Sequence, residues 1–323
     1  MRRLRFRLEA AAFALLLAVA RRLPRRALLA LGSAAGRIGY LVDLRHRRVG
    51  IDNLRLAFGR ELDRRAARRL LRACWRHFGR VTLDACRLHH LDPAAFAPLV
   101  RLHGVEHLRE ARRRGRGILL FSGHFGHWEL GSAAVSRCLA LPLTLVARPL
   151  DNPHLERRLA RLRARSSNVV VHRRHAVGPI LRVLRAGRAV GLLIDQDARD
   201  EGVFVPFFGH PASTTPALAL LALRSGAAII PSFSVLRADG TCDVTFEAPL
   251  AAAAGAERAD DVRRITAACS ASLERWVRRH PEQWLWMHRR WKSVPAPGGA
   301  DAVPWLAPRG AEPADPVRGE TDG

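Results

Sequence analysis

Between Gly123 and Gly131 the chain reads GHFGHWELG, setting His124, His127 and Glu129 close together just after the apolar run GILLF at 117–121. Histidine is the side chain best suited to take a proton near neutral pH. A nearby carboxylate fixes its tautomer and stabilises the imidazolium that forms. His124 and Glu129 are therefore a candidate base and orienting acid. The nucleophile then belongs to the substrate, because no serine in a GxSxG elbow is present. The same residues also suit a metal site, although no further ligand stands at metal-site spacing. They suit a structural role as turn caps too, and spacing does not choose between His124 and His127 as the base.

Chemistry at this position requires an element that ends there. GILLFS (117–122) has the apolar composition of a buried strand, and glycines after it allow a sharp turn and close approach of a substrate. Similar runs recur at LTLVA (143–147), NVVVH (168–172), AVGLLID (189–195), AAIIPSFSV (227–235) and CDVTFE (242–247). Stretches of helical length and period separate most of them, at about 127–140, 153–166, 177–186 and 214–225. Strands alternating with helices predict an α/β fold: a single domain with a mixed, largely parallel sheet flanked by helices. Residues 45–90 read as helical. Ala66, Leu70, Cys74, Phe78, Val81, Ala85 and Leu88 mark one face, and Asp63 is placed to cap it. A last helix is expected at about 258–280.

The N-terminus differs in character. A basic start precedes an apolar run from Ala10 to Ala20, arginines follow it, and a second apolar stretch begins at Ala27. The first run is shorter than the roughly 20 residues that cross a bilayer. Basic residues on both sides suit a helix lying in a membrane interface. A single span and two ordinary core helices are the alternatives. The expected organisation is a membrane-anchoring helical region at 1–44, the α/β domain at 45–293, and a disordered tail rich in Pro, Gly, Ala and acid at 294–323.

The formal net charge of the 323 residues is +25, and Lys292 is the one lysine, so the basic charge is almost all arginine. Such a charge favours a polyanionic partner. The arginines are dispersed, aromatic residues make up only 6%, and no nucleic-acid motif is present, which argues against a nucleic-acid binder. The five cysteines show no CxxC pair or metal spacing and read as reduced core residues of a protein folded in the cytosol.

HFGHWE fits the pattern of a histidine, four residues and an acid that marks the glycerolipid and lysophospholipid acyltransferases. Longer segments resemble one branch, the late lipid A biosynthesis acyltransferases of Gram-negative bacteria. They are RVGIDNLRLAFG (48–59), RPLDNPHLERRLARLRARSSN (148–168), the stretch from Gly191 to Pro231, and VRRHPEQWLWMHRRWK (277–292). The resemblance covers about residues 20–292 in the expected order.

It implies transfer of a fatty acyl chain, of the lauroyl or myristoyl type, from acyl carrier protein to a hydroxyl of a lipid A precursor. No cofactor and no metal would be needed. His124 would be the base and Glu129 its orienting partner. Backbone amides of the Gly-rich turn, or an arginine, would meet the oxyanion. Arg148, and Arg165 as a weaker candidate, would bind phosphate or head group. Asp195 and Gln196 would hold the catalytic loop or the acceptor sugar. Pro231 reads as architectural, and VFVPFFG (203–209) as core or acyl groove. Trp284, Trp286 and Trp291 suit a membrane interface or a C-terminal helix packed on the sheet. The implied location is the cytoplasmic face of the inner membrane, against its anionic leaflet. The same scaffold serves other lipid acceptors, with acyl carrier protein or coenzyme A as donor.

Overall fold

A computed structural model describes residues 2–172, 176–252, 255 and 257–295. The tail expected from residue 294 lies almost wholly outside the described residues.

The chain opens with four helices: α1 (Arg2–Arg22), α2 (Arg25–Val42), α3 (Leu44–Phe58) and α4 (Arg64–Leu88). Asp63 caps α4 by accepting from the Ala66 amide at 2.6 Å, as its position before the apolar period predicts. A single turn, α5 (Pro93–Phe96), leads to β1 (Val100–His103) and α6 (Val105–Arg113). The alternating part follows as β2 (Ile118–Ser122), α7 (Trp128–Cys138), β3 (Leu143–Ala147), α8 (Pro153–Ala164), β4 (Val169–His172), α9 (Val177–Arg185) and β5 (Ala189–Leu193). Then come a hairpin of β6 (Val203–Phe207) and β7 (His210–Thr214), helix α10 (Ala217–Ser225), β8 (Ala228–Leu236), β9 (Cys242–Phe246) and α11 (Arg258–Arg279).

Seven strands form one sheet in the order β1-β9-β8-β2-β5-β3-β4. All neighbours are parallel except β8 and β9, so the sheet is mixed and largely parallel, as the sequence pattern predicts. Side chains alternate across it. Leu119 and Phe121 of β2 enter one core with α9, α10 and α11, while Ile118 and Leu120 enter the other with α6 and α7. Burial on both faces explains why the central strands read as continuous apolar runs.

α2 packs along α4 with the backbones almost touching. A Cβ on Gly36 would stand 2.1 Å from the Trp75 carbonyl oxygen, so only glycine allows this approach. α2 buries Leu28, Leu29 and Tyr40 and leaves Leu31, Ile38, Leu41 and Val42 exposed. α1 exposes Leu4, Leu8, Leu15 and Val19. It is joined to α8 by Asn152, whose Nδ2 donates to the Phe6 carbonyl at 2.9 Å. No described helix is long and apolar enough to cross a membrane; Arg25–Val42 and Leu44–Glu61 together reach that length but are bent by 91°.

Candidate active site

β2 and β5 are adjacent and parallel in the middle of the sheet, with Ser122 paired to Leu193 at their carboxyl ends. The crevice beyond strand ends is where ligands bind in open α/β sheets. His124 stands two residues past Ser122, and Asp195 two past Leu193. Asp195 Oδ1 lies 2.8 Å from His124 Nδ1, and Oδ2 accepts the His124 backbone N–H at 2.7 Å. Asp195 is nearly fully buried, and its Oδ2 also accepts the Trp284 indole N–H at 2.9 Å.

Burial opposes ionisation of Asp195. The His124 charge, its two hydrogen bonds and the Trp284 indole outweigh that and hold the carboxyl down at about 2. Because Asp195 is ionised, Nδ1 of His124 carries the proton and Nε2 is the basic nitrogen. Among the described residues no hydrogen bond engages that Nε2, and the ring keeps 21% of its surface exposed. Burial pulls the imidazolium down, but Asp195, aided by the charge of Glu129, outweighs it and raises His124 above its ordinary value.

Glu129 is not the carboxylate bonded to His124. It occupies the first turn of α7, and its oxygens bind the Arg163 guanidinium on α8 through Nε, at 3.2 Å, and Nη2. Burial resists its charge, and Arg163 prevails and lowers its pKa. His89 Nε2 stands 3.9 Å away but is no ion partner at neutral pH, since burial pushes His89 down to about 4. The orienting contact expected of Glu129 is thus made by Asp195, 71 residues from His124 along the chain.

His127 is fully buried and caps α7, its Nδ1 accepting the Leu130 amide at 3.2 Å. Its Nε2–H therefore donates to Asp84 Oδ2, at 3.2 Å, and Asp84 is also bound by the Arg25 guanidinium. Both ring nitrogens are occupied, so His127 has no lone pair free for a substrate.

The turn itself is held from several sides. Gly126 has φ +56°, and a Cβ there would sit 1.6 Å from the Ser234 carbonyl oxygen. The Gly126 amide donates to the Gln283 carbonyl at 2.7 Å, and the His127 amide to Ser234 O at 2.8 Å. With the His124 amide given to Asp195, three of the backbone donors expected to meet an oxyanion are already engaged. Among the described residues, no three His, Cys, Asp or Glu side chains are grouped so as to hold a metal ion.

Of the other expected site residues, Arg148 directly follows β3 and its side chain is 80% exposed, 3.6 Å from Asp151. Arg165 is exposed at the C-terminal end of α8. Gln196 is exposed, and its carbonyl accepts from Arg290 at 3.5 Å. VFVPF forms β6, and Val203, Val205 and Phe207 join the core.

The tryptophans correct the expectation of an interface. Trp284 and Trp286 are fully buried, and the segment after the short turn Pro281–Gln283 is neither helical nor peripheral. Arg163 and Trp284 were not singled out as site residues, because sequence pattern carries no signal for contacts across such separations.

A family model described as bacterial lipid A biosynthesis acyltransferase matches residues 3–293. A lipid A biosynthesis lauroyltransferase of Escherichia coli is 27% identical over 84% of this chain and 88% of its own length. A palmitoleoyltransferase of the same organism is 31% identical over 60% of this chain and 62% of its own. A phosphatidylinositol mannoside acyltransferase of Mycolicibacterium smegmatis is 26% identical over 69% and 72%. A match across nearly all of the described chain, with a histidine–carboxylate pair at the strand ends, establishes that this protein belongs to the bacterial lipid A biosynthesis acyltransferase family.

Proposed function

We propose that the protein moves a fatty acyl chain from the thioester of acyl carrier protein to a hydroxyl of a lipid A precursor. The observation that carries this reading is the His124–Asp195 pair, with a basic Nε2 open at the carboxyl ends of β2 and β5. Nε2 takes the hydroxyl proton as that oxygen attacks the thioester carbonyl. Asp195 holds the tautomer and balances the imidazolium. The tetrahedral intermediate collapses, the C–S bond breaks, and the departing thiolate takes the proton from His124. The products are an ester and the free thiol of the carrier, with no acyl-enzyme.

Glu129 supports the base by its charge and, through Arg163, fixes α8 against α7. Arg148 sits past β3, the parallel neighbour of β5, on the same rim of the sheet. It is a phosphate-binding group for the acceptor, and Gln196 contributes from the loop after β5; Arg165 stands at the other end of α8, three residues before Asn168, whose Oδ1 accepts the amide of Leu143 at the start of β3, and so falls away from that rim. The exposed apolar faces of α1 and α2, edged by arginine, rest on the anionic leaflet at the cytoplasmic face of the inner membrane.

The mannoside acyltransferase relative favours a second reading, the same chemistry on another glycolipid acceptor. Transfer of labelled acyl chain from acyl carrier protein or coenzyme A to lipid A precursor, lysophospholipid and phosphatidylinositol mannoside separates the two.

A further inference from the structure

The ends of β2 and β5 are bridged by a third piece of chain, 281–293. It meets the catalytic turn through Leu285, whose amide donates to the His124 carbonyl at 3.2 Å, and through an antiparallel bridge between Phe125 and Trp284. It meets the Asp195 loop as well. His288 Nε2 accepts the Asp197 amide at 3.0 Å, Ser293 Oγ donates to Asp197 Oδ2 at 3.0 Å, and buried Arg290 donates to Gln196 O and Ser213 O. The segment is itself pinned from the N-terminal helices. Asn53 Nδ2 donates to the carbonyls of Trp286 and His288 at 2.7 and 2.6 Å, and Cys74 Sγ to that of Trp284 at 3.0 Å.

At its centre the Trp284 indole packs on Phe207 and Trp286, with ring centroids 5.4 and 4.6 Å away. A fully buried indole needs an acceptor for its N–H. Here the acceptor is the carboxylate that orients the candidate base.

We propose that Trp284 is a positioning residue for acyl transfer, its indole N–H fixing the Asp195 carboxylate against His124 and limiting the basicity of that carboxylate. The inference rests on the reading of His124 as the base. Two carboxylate oxygens receive three donors: His124 Nδ1–H on one, the His124 amide and the indole on the other. Removing the indole N–H leaves the negative charge of Asp195 less delocalised toward Trp284 and more available to the imidazolium, which raises the pKa of His124. Among the described residues, the other charged or titratable groups around the pair are Glu129 and Arg163 from α7 and α8, Asp197 from the loop after β5, and His288 and Arg290 from the C-terminal segment. None of them loses a partner in the exchange.

The test replaces Trp284 with benzothienylalanine, which puts sulfur in place of N–H at nearly constant shape, and separately with Phe. Both changes are made in the wild-type and Asp195→Asn backgrounds of the full chain. The acid limb of kcat/KM for transfer from acyl carrier protein should rise by about 0.5 pH unit in both Trp284 variants. At neutral pH kcat/KM should fall by about 10-fold for W284F. In the D195N background the same replacements should change kcat/KM less than about 2-fold and leave the limb in place, because the interaction they remove is already altered. A purely structural Trp284 would lower the melting temperature of W284F, leave the limb unmoved and multiply with D195N; that result overturns the inference. Full activity in His124→Gln would overturn the base assignment and the inference together, whereas loss of activity in H124Q with an unmoved limb in both Trp284 variants overturns the inference alone.

Discussion

His124 and Asp195 stand the same two residues beyond Ser122 and Leu193, which are register partners in adjacent parallel strands. Sheet register thus places the ring nitrogen and the carboxylate 2.8 Å apart, with Ile194 still bonded to the Ser122 carbonyl at 3.0 Å beside them. A pair built this way is as rigid as the centre of the sheet. That rigidity is what a base needs if it is to meet a hydroxyl in one orientation.

Asp195→Asn should lower kcat by roughly 1,000-fold, because the amide fixes the wrong tautomer and leaves the imidazolium unbalanced. Since Asp195 is what raises His124, the acid limb of kcat/KM should move down in the variant's residual activity. In the wild type that limb should lie above the ordinary histidine value of about 6.5. A pH profile of both proteins with saturating donor measures it.

Glu129→Ala should lose activity by a different route. It strands the largely buried guanidinium of Arg163, which costs about 3 kcal/mol of stability. A Glu129→Met, Arg163→Met double variant should recover much of the melting temperature while remaining impaired in transfer. Thermal unfolding of the three proteins, alongside their activities, distinguishes this from a direct role.

Stability should fall as pH drops below about 6.5. His77 and His89 are buried, and burial holds them down at about 3 and about 4. The unfolded chain takes up protons between an ordinary histidine value and those values, and the folded chain does not, so unfolding is favoured progressively across that window. Asp84 and Asp195, held at about 2, act the same way lower down. Their stabilisation is complete above the ordinary carboxyl value and is lost as pH falls toward 2. Melting temperatures from pH 8 to 4 should decline from below pH 7 on, and His77→Gln should flatten the upper part of the curve.

The strand pattern was largely legible. All six apolar runs are strands within a residue or two at each end. The central parallel strands β2 and β5 are continuous in hydrophobicity because both their faces are covered, whereas the edge strand β4 shows as a run of valines and β9 as an alternation of apolar and polar residues. β1 was not expected: it is an edge strand of four residues whose burial alternates and whose sequence, VRLH, carries two basic groups. The β6–β7 hairpin was not expected either: VFVPFFG reads as core or acyl groove, and Pro206 and Pro211, which face each other across the hairpin, break the strand pattern.

Within the candidate site, the position of the glycine-flanked His124 just past the end of β2 was legible. Its partner was not, because nearness in sequence favoured Glu129 while the turn into α7 directs that carboxylate to Arg163. The resemblance implies a different task for Asp195, holding the loop or the acceptor sugar, and its bond to His124 joins residues 71 apart in the chain. For Trp284 the composition, tryptophan among arginines, suits a membrane interface or a C-terminal helix packed on the sheet; its burial follows instead from a non-helical C-terminal segment folding back over the strand ends.

Anionic vesicles should retain the protein in flotation, and retention should weaken with salt. Leu8→Glu with Leu15→Glu, on the exposed face of α1, should release it while leaving the melting temperature within a few degrees. Retention by neutral and anionic vesicles alike, unaffected by these changes, would contradict attachment through that face.

The most direct test is transfer of a labelled acyl chain from acyl carrier protein to an acylated, Kdo-bearing lipid A precursor, with wild type, His124→Gln and Asp195→Asn side by side. The account predicts transfer by the wild type, loss of at least about 1,000-fold in both variants, and a product in which the chain is held as an ester. Transfer that survives His124→Gln, or a wild type that acylates none of lipid A precursor, lysophospholipid or phosphatidylinositol mannoside, would contradict it.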